Sequence, residues 1–144
     1  MEKMKKYEPL TAKTLPSRLG TIAALTSSLG DDVDQWRVEE IGDGNLNLVF
    51  LVKGVRGNVI VKQALPYIRL VGDSWPLPLS RAFFEYHALI RQAKRDPGSV
   101  PDLLYFDEDQ ALIAMEFLDQ HLILRSMLID GGRVNHLGER LGQF

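Results

Sequence analysis

Glu40-Ile41-Gly42-Asp43-Gly44-Asn45-Leu46-Asn47-Leu48-Val49-Phe50 is the stretch on which the fold turns. Trp36, Val38 and Ile41 lead into its glycines, and beyond them Leu46, Leu48, Phe50 and Val52 alternate with Asn47, Val49, Leu51 and Lys53. A period of two marks a strand, so the stretch reads as strand, tight turn, strand. A short loop with Gly54 and Gly57-Asn58 then leads to Val59-Ile60-Val61-Lys62-Gln63, whose β-branched run predicts a third antiparallel strand. Three consecutive strands make a meander.

Working outward, Leu65 to Leu79 carries Pro66, Gly72, Pro76 and Pro78. These residues predict a loop of about fifteen residues without regular structure, longer than most structural connections. Ser80 can cap a helix running to about Lys94, with Phe83, Tyr86, His87 and Ile90 on one stripe and Asp96-Pro97-Gly98 as its stop. Leu103-Leu104-Tyr105-Phe106, the turn Asp107-Glu108-Asp109-Gln110 and Ala111 to Met115 predict a hairpin that brings the sheet to five strands. Glu116-Phe117-Leu118-Asp119 is then a chain exit, followed by a short helix over His121 to Ile129 ended by Gly131-Gly132 and a further stripe of Leu137, Leu141 and Phe144. Upstream, Ser17 as N-cap, Leu19, Ile22, Ala23 and Leu29 at helical spacing and Gly30 as terminator predict a single helix.

At 144 residues, 45% of them hydrophobic, the chain has the material for one core. Lysine plus arginine (17) against aspartate plus glutamate (19) leaves a net charge of −2 with no dense basic run, which argues against nucleic acid as a partner. There is no cysteine, so disulfides, thiolate metal sites and cysteine nucleophiles are excluded. No apolar stretch reaches the ~18 residues of a membrane span, and the expected setting is a reducing cytoplasm.

The glycine turn begins like a dinucleotide fingerprint, but Asn47 stands where the third glycine would be and a strand follows in place of a helix. A P-loop is excluded because no Gly-Lys-Ser/Thr follows at its spacing. Two readings stay open for the turn: an ordinary hairpin, or a lid whose small residues let backbone N–H groups approach phosphate oxygens. Lys62 adds to the second. A cation in an apolar strand is costly unless paired, and in kinase-like folds such a lysine holds the α- and β-phosphates. Its pairing carboxylate would come from Glu85 in the next helix. Glu116-Phe117-Leu118, at the end of the last strand, could offer backbone groups to an adenine edge. His87 and His121 read as packing or surface residues, and Asp107, Glu108 and Asp109 as a solvated turn, with no metal site expected.

With these residues in view, the sequence resembles the amino-terminal lobe of the 5-methylthioribose kinases, members of the protein-kinase-like superfamily. The resemblance rests on the stretch from Glu40 to Phe50, on Val61-Lys62-Gln63-Ala64 with Pro66-Tyr67, on Gly72-Asp73-Ser74-Trp75-Pro76-Leu77, on Arg81 to Glu85 with Ala88-Leu89-Ile90-Arg91-Gln92, and on Met115-Glu116. It implies an α+β fold: a kinase-like N-lobe with a five-stranded antiparallel sheet, a packed helix and an N-terminal helical extension. The implied division is an extension over 1–35, the lobe over 36–118, and a hinge exit with the start of a second lobe over 119–144. The implied activity is ATP- and Mg²⁺-dependent phosphorylation of 5-methylthioribose to 5-methylthioribose 1-phosphate in methionine salvage, by a homodimer. Carried onto this sequence, Gly44, Asn45 and Asn47 belong to the nucleotide lid. Lys62 holds phosphates, Glu85 pairs with Lys62, Glu116, Phe117 and Leu118 hold adenine, and the Trp75 loop folds over the site.

The departures matter as much. The family's base aspartate in its His-Gly-Asp-Leu-His loop, its metal-binding acid in Asp-Pro-Glu and its sugar-binding arginines lie in a carboxy-terminal lobe, and none of those motifs occurs here. The one Asp-Pro, Asp96-Pro97, is followed by Gly98. The expectation is therefore a nucleotide-binding portion with no catalytic residue of its own, inactive alone. The alternatives are a non-catalytic nucleotide-binding or interaction module, pairing with another chain through the exposed hinge end and the stripe from Leu137 to Phe144, and a related kinase acting on another small hydroxyl substrate.

Overall fold

The computed structural model describes residues 6–42 and 44–143; Asp43 of the glycine turn and Phe144 of the last stripe lie outside them. The chain begins with two short helices, α1 (Leu15–Leu19) and α2 (Ala23–Leu29), and a 3₁₀ turn at Val33–Gln35. The meander follows as β1 (Arg37–Glu40), β2 (Asn47–Lys53) and β3 (Asn58–Ala64), then a small hairpin of β4 (Tyr67–Ile68) and β5 (Gly72–Pro76). Helix α3 (Arg81–Arg95), strands β6 (Leu103–Asp107) and β7 (Leu112–Glu116), and helices α4 (Leu124–Ile129) and α5 (Leu137–Gln143) complete it. Five strands form one antiparallel sheet in the order β1-β2-β3-β7-β6. The α+β class and the five-stranded sheet are as the sequence predicts.

Alternation along β2 and β3 gives the sheet two unlike faces. Leu48, Phe50 and Val52 from β2 and Val59 and Val61 from β3 join Leu112 and Ala114 of β7 on one face. There they meet Leu10, Leu15, Leu19, Leu25, Leu29 and Trp36, all buried, in the main core. The segment before β1 therefore contributes a substantial part of that core. On the other face, α3 touches β3, β6 and β7, and its buried packing is confined to Ala82 against Ala64 and Ala111, with Leu79 and Phe106 alongside.

Gln63 pins the leading segment in place. Its side chain is fully buried, accepting from the Leu10 N–H at 2.7 Å and donating to the carbonyls of Glu8 and Gln110, each at 3.0 Å. Tyr7 adds a second tie, its hydroxyl donating to the Ala64 carbonyl at 2.9 Å. Burial, and after it the neighbouring Tyr67, push the Tyr7 phenol up from its ordinary 10.0 to about 12.

Three local expectations are corrected. The single N-terminal helix is two: the chain breaks at Gly20, where a side chain would run into Val33 Cγ1 at 2.5 Å and the Pro16 carbonyl at 2.6 Å. Thr14 takes the N-cap position and Ser17 lies inside α1. Gly30 does end α2, with φ 115° and ψ 151°, outside the left-handed helical region. The segment from Leu65 to Leu79 is not free of regular structure, because β4 and β5 pair through Tyr67 and Pro76. A two-stranded ribbon tolerates Pro76 because no ladder bond there needs its missing N–H. On α3, the residues meeting the sheet are Ala82, Glu85 and Tyr86, the last stacked on Phe106 with centroids 4.3 Å apart. His87 of the predicted stripe is exposed beside Phe83.

Candidate functional site

Lys62 stands on β3 opposite Val49 of β2 and Ile113 of β7, so its ammonium leaves the sheet on the α3 face, opposite the main core. An aliphatic stem flanked by these two apolar residues needs a counter-charge at its tip. Glu85 supplies it. The ammonium donates to both carboxylate oxygens, at 2.6 and 2.9 Å. The two side chains are 25% and 36% exposed, so the pair is open to solvent on one side and can meet an anion there. A two-oxygen, charge-assisted contact fixes the ammonium more firmly than a single one would.

The glycine turn lies along the same face. Asn47 pairs with Ala64, two residues along from Val49 and Lys62, so alternation sets the Asn47 and Lys62 side chains on one side of the sheet. Gly42 has φ +82° and open space around it, a conformation that suits glycine in a tight reversal. Gly44 is exposed, and a Cβ there would lie 3.2 Å from the Asn47 carbonyl.

Two arginines that pattern reading did not single out hold this turn. Arg69, in the bend between β4 and β5, donates its backbone N–H to the Asn45 carbonyl at 2.8 Å and pairs its guanidinium with Glu40 at 2.6 Å. It thus grips the chain on either side of the glycines. That hydrogen bond to Glu40 also holds the Arg69 guanidinium above its ordinary range. Arg81, the first residue of α3, donates to the carbonyls of Leu46, Leu65 and Pro78 at 3.1, 2.8 and 3.1 Å. Both were obscured by being ordinary surface arginines in a sequence without periodic charge. Their partners are carbonyls and a distant carboxylate that only the folded chain assembles.

The remaining expected positions lie at the far end of β7. Glu116 exchanges backbone and side-chain bonds with Asp102: its N–H donates to the Asp102 carbonyl at 2.8 Å and its Oε2 accepts the Asp102 N–H at 3.1 Å. Phe117 and Leu118 follow in a turn whose carbonyls accept from Asp119 and His121. Trp75 is 59% exposed on β5. Burial, and then the carboxylate of Asp107, raise the Tyr105 phenol above its usual range. Among the described residues, no three His, Cys, Asp or Glu side chains cluster to hold a metal, and no helix is long and apolar enough to cross a membrane.

These features define an α+β unit in which a strand lysine, paired to a helix glutamate, opens beside a glycine-bearing turn. The chain is 45% identical over 139 residues to a methylthioribose kinase of Escherichia coli, covering 96% of this chain and 33% of that protein. It is 40% identical over 139 residues to methylthioribose kinase 2 of Oryza sativa subsp. japonica, covering 96% and 33%. Against a methylthioribose kinase of Geobacillus kaustophilus it is 43% identical over 143 residues, covering 96% and 34%. The resemblance to the methylthioribose kinases read from the motifs therefore holds across nearly the whole chain, which spans about a third of the length of these relatives. No family profile matches the chain.

Proposed function

We propose that this chain is the ATP-binding, kinase-like N-lobe portion of a methylthioribose kinase, and that it contributes nucleotide positioning to the transfer of a phosphoryl group from ATP to 5-methylthioribose. The observation that carries the reading is the two-oxygen Lys62–Glu85 contact beside the glycine turn, in a chain 45% identical to a named methylthioribose kinase. Phosphoryl transfer is positioning plus charge neutralisation, and this arrangement does both for a polyphosphate. Lys62 would donate to α- and β-phosphate oxygens while Glu85 keeps its ammonium charged and aimed. Gly44, Asn45 and Asn47 would cover the phosphates from above. Glu116, Phe117 and Leu118 would offer backbone groups to adenine, and the Phe117 and Leu118 carbonyls each have a second lone pair beyond the bond they already accept.

On this reading residues 36–118 form the lobe, 1–35 its N-terminal extension and 119–144 the hinge exit leading to a second lobe. The Trp75 hairpin would fold over the site. The product would be 5-methylthioribose 1-phosphate, a methionine-salvage step, made by a cytoplasmic homodimer. Mg²⁺ would arrive with the nucleotide. On the same reading, the acid that would hold it and the catalytic base would come from the remaining length of the relatives.

Calorimetric titration with ATP tests the reading. The chain should bind ATP, and Lys62→Ala should weaken binding by about 1–3 kcal/mol while the fold persists. Unchanged affinity in the folded variant would remove Lys62 from the site. A second reading draws on the exposed apolar residues Leu122, Ile123, Ile129 and Leu141: an interaction module that pairs with another chain and binds no nucleotide. A flat ATP titration accompanied by concentration-dependent self-association would favour it.

A further inference from the structure

We propose that Arg81 is a positioning residue that couples the glycine turn to the Lys62–Glu85 pair, holding α3 where that pair can form. The inference rests on the nucleotide reading above, and goes beyond it to what keeps the site assembled.

The start of α3 breaks the local rules for a helix. Arg81 puts a cation where the helix dipole is positive, the first turn carries no acidic residue, and Ser80 makes no side-chain cap bond. Packing compensates only in part, because Ala82 is the one residue of α3 that is buried and Tyr86 adds a stack on Phe106. An amphipathic helix so thinly seated needs another anchor to keep Glu85 facing the sheet.

Arg81 is that anchor. Its Nη2 donates to Leu46, the last residue before β2, and to Leu65, the first after β3; its Nε donates to Pro78, beyond β5. The Leu46 carbonyl also accepts the Leu65 N–H at 3.0 Å, so Arg81 locks a junction that already ties the turn to the lysine strand. Glu85 lies four residues on, one helical turn away on the same side. Any rotation of α3 that withdraws Glu85 from Lys62 would pull Arg81 off its carbonyls. A planar fork can span these three segments at once, whereas a lysine ammonium satisfies one such geometry poorly. Glu85 therefore sets the lysine, and Arg81 sets Glu85.

Two measurements on the full chain decide it. In the first, ATP affinity is compared for Arg81→Ala, Lys62→Ala and the double variant. If Arg81 acts by keeping the site competent, Arg81→Ala lowers affinity about tenfold, and adds nothing in the Lys62→Ala background, because its effect passes through Lys62. Unchanged affinity, or an equal extra loss in that background, overturns the proposal. In the second, Lys62 is labelled with a small acylating ester and quantified by mass spectrometry without nucleotide. Arg81→Ala should expose Lys62 to the degree that Glu85→Gln does, with Arg81→Lys between it and the unaltered chain. Lys62 remaining protected in folded Arg81→Ala overturns it. Should Arg81→Ala fail to fold, Arg81→Lys takes its place in both measurements, and loss of folding in both variants assigns Arg81 to stability alone. If the unaltered chain binds no ATP, the nucleotide reading fails while the labelling still decides whether Arg81 holds the pair.

Discussion

Lys62 and Gln63 are neighbours on β3 with opposite duties. Alternation sends Lys62 to the open face beside the glycine turn and Gln63 into the closed one, where its amide completes the backbone of the leading segment. Gln63 has no apolar equivalent, because its three bonds satisfy the Leu10 N–H and the carbonyls of Glu8 and Gln110. Gln63→Leu keeps the volume and removes those bonds, taking from the Leu10 N–H its acceptor in a dry place, so it should destabilise the chain by about 2–3 kcal/mol. Urea unfolding checks this: a loss under about 0.5 kcal/mol would mean the leading segment does not depend on the amide. The difference in legibility between the two residues is physical. A cation in an apolar strand announces that it needs an acid, and the nearest helix offered Glu85. A glutamine beside it gives no such signal, since its partners are backbone groups 47 to 55 residues away along the chain.

Elements that follow a simple period are where sequence and structure agree. The strands from Arg37 to Ala64 alternate, and they form as expected. The elements that diverge depend on distant contacts: α1 and α2 are separated because Gly20 lies against Val33, and β4 and β5 pair despite Pro76. On α3, the stripe chosen by hydrophobicity points to His87, whereas the sheet takes Glu85 for its charge and Ala82 for its size. The site follows the same rule, since the Lys62–Glu85 contact could be anticipated and the grips of Arg69 and Arg81 on the turn could not. The strap that precedes α1 carries a pH signature. Tyr7 keeps its proton to about pH 12 in the folded chain, whereas in the unfolded chain it titrates near 10.0. Its contribution is therefore complete below pH 10.0 and is lost as the pH rises through about 12, because the unfolded state sheds its proton first. Tyr7→Phe should lower stability near neutrality by about 1 kcal/mol, for the lost bond to Ala64. Its difference from the unaltered chain should then shrink toward high pH. A difference that stayed constant across that window, read from urea midpoints, would mean that the phenol is not tied down by the fold.

Across the whole molecule, order is unevenly distributed. Buried side chains are concentrated between Leu10 and Ala114, and neither α4 nor α5 contributes one. Leu122, Ile123 and Ile129 are 78%, 69% and 76% exposed, a density of solvent-facing aliphatics that a soluble surface does not ordinarily carry without something to cover it. The chain matches about a third of the length of its kinase relatives, and on the nucleotide reading these helices would pack against what the remaining length supplies. Thermodynamically they should then be passengers of the sheet. Ending the chain at Asp119 removes both helices and no buried side chain, so stability should change by no more than about 0.5 kcal/mol, and ATP affinity should hold. Self-association, followed by sedimentation velocity over a range of concentrations, should fall, because the apolar face that drives it is gone. A loss of several kcal/mol would instead mean that α4 and α5 brace the sheet in solution. An undiminished tendency to associate would move the sticky surface to α3, where Phe84 is 68% exposed beside Arg91 and Arg95.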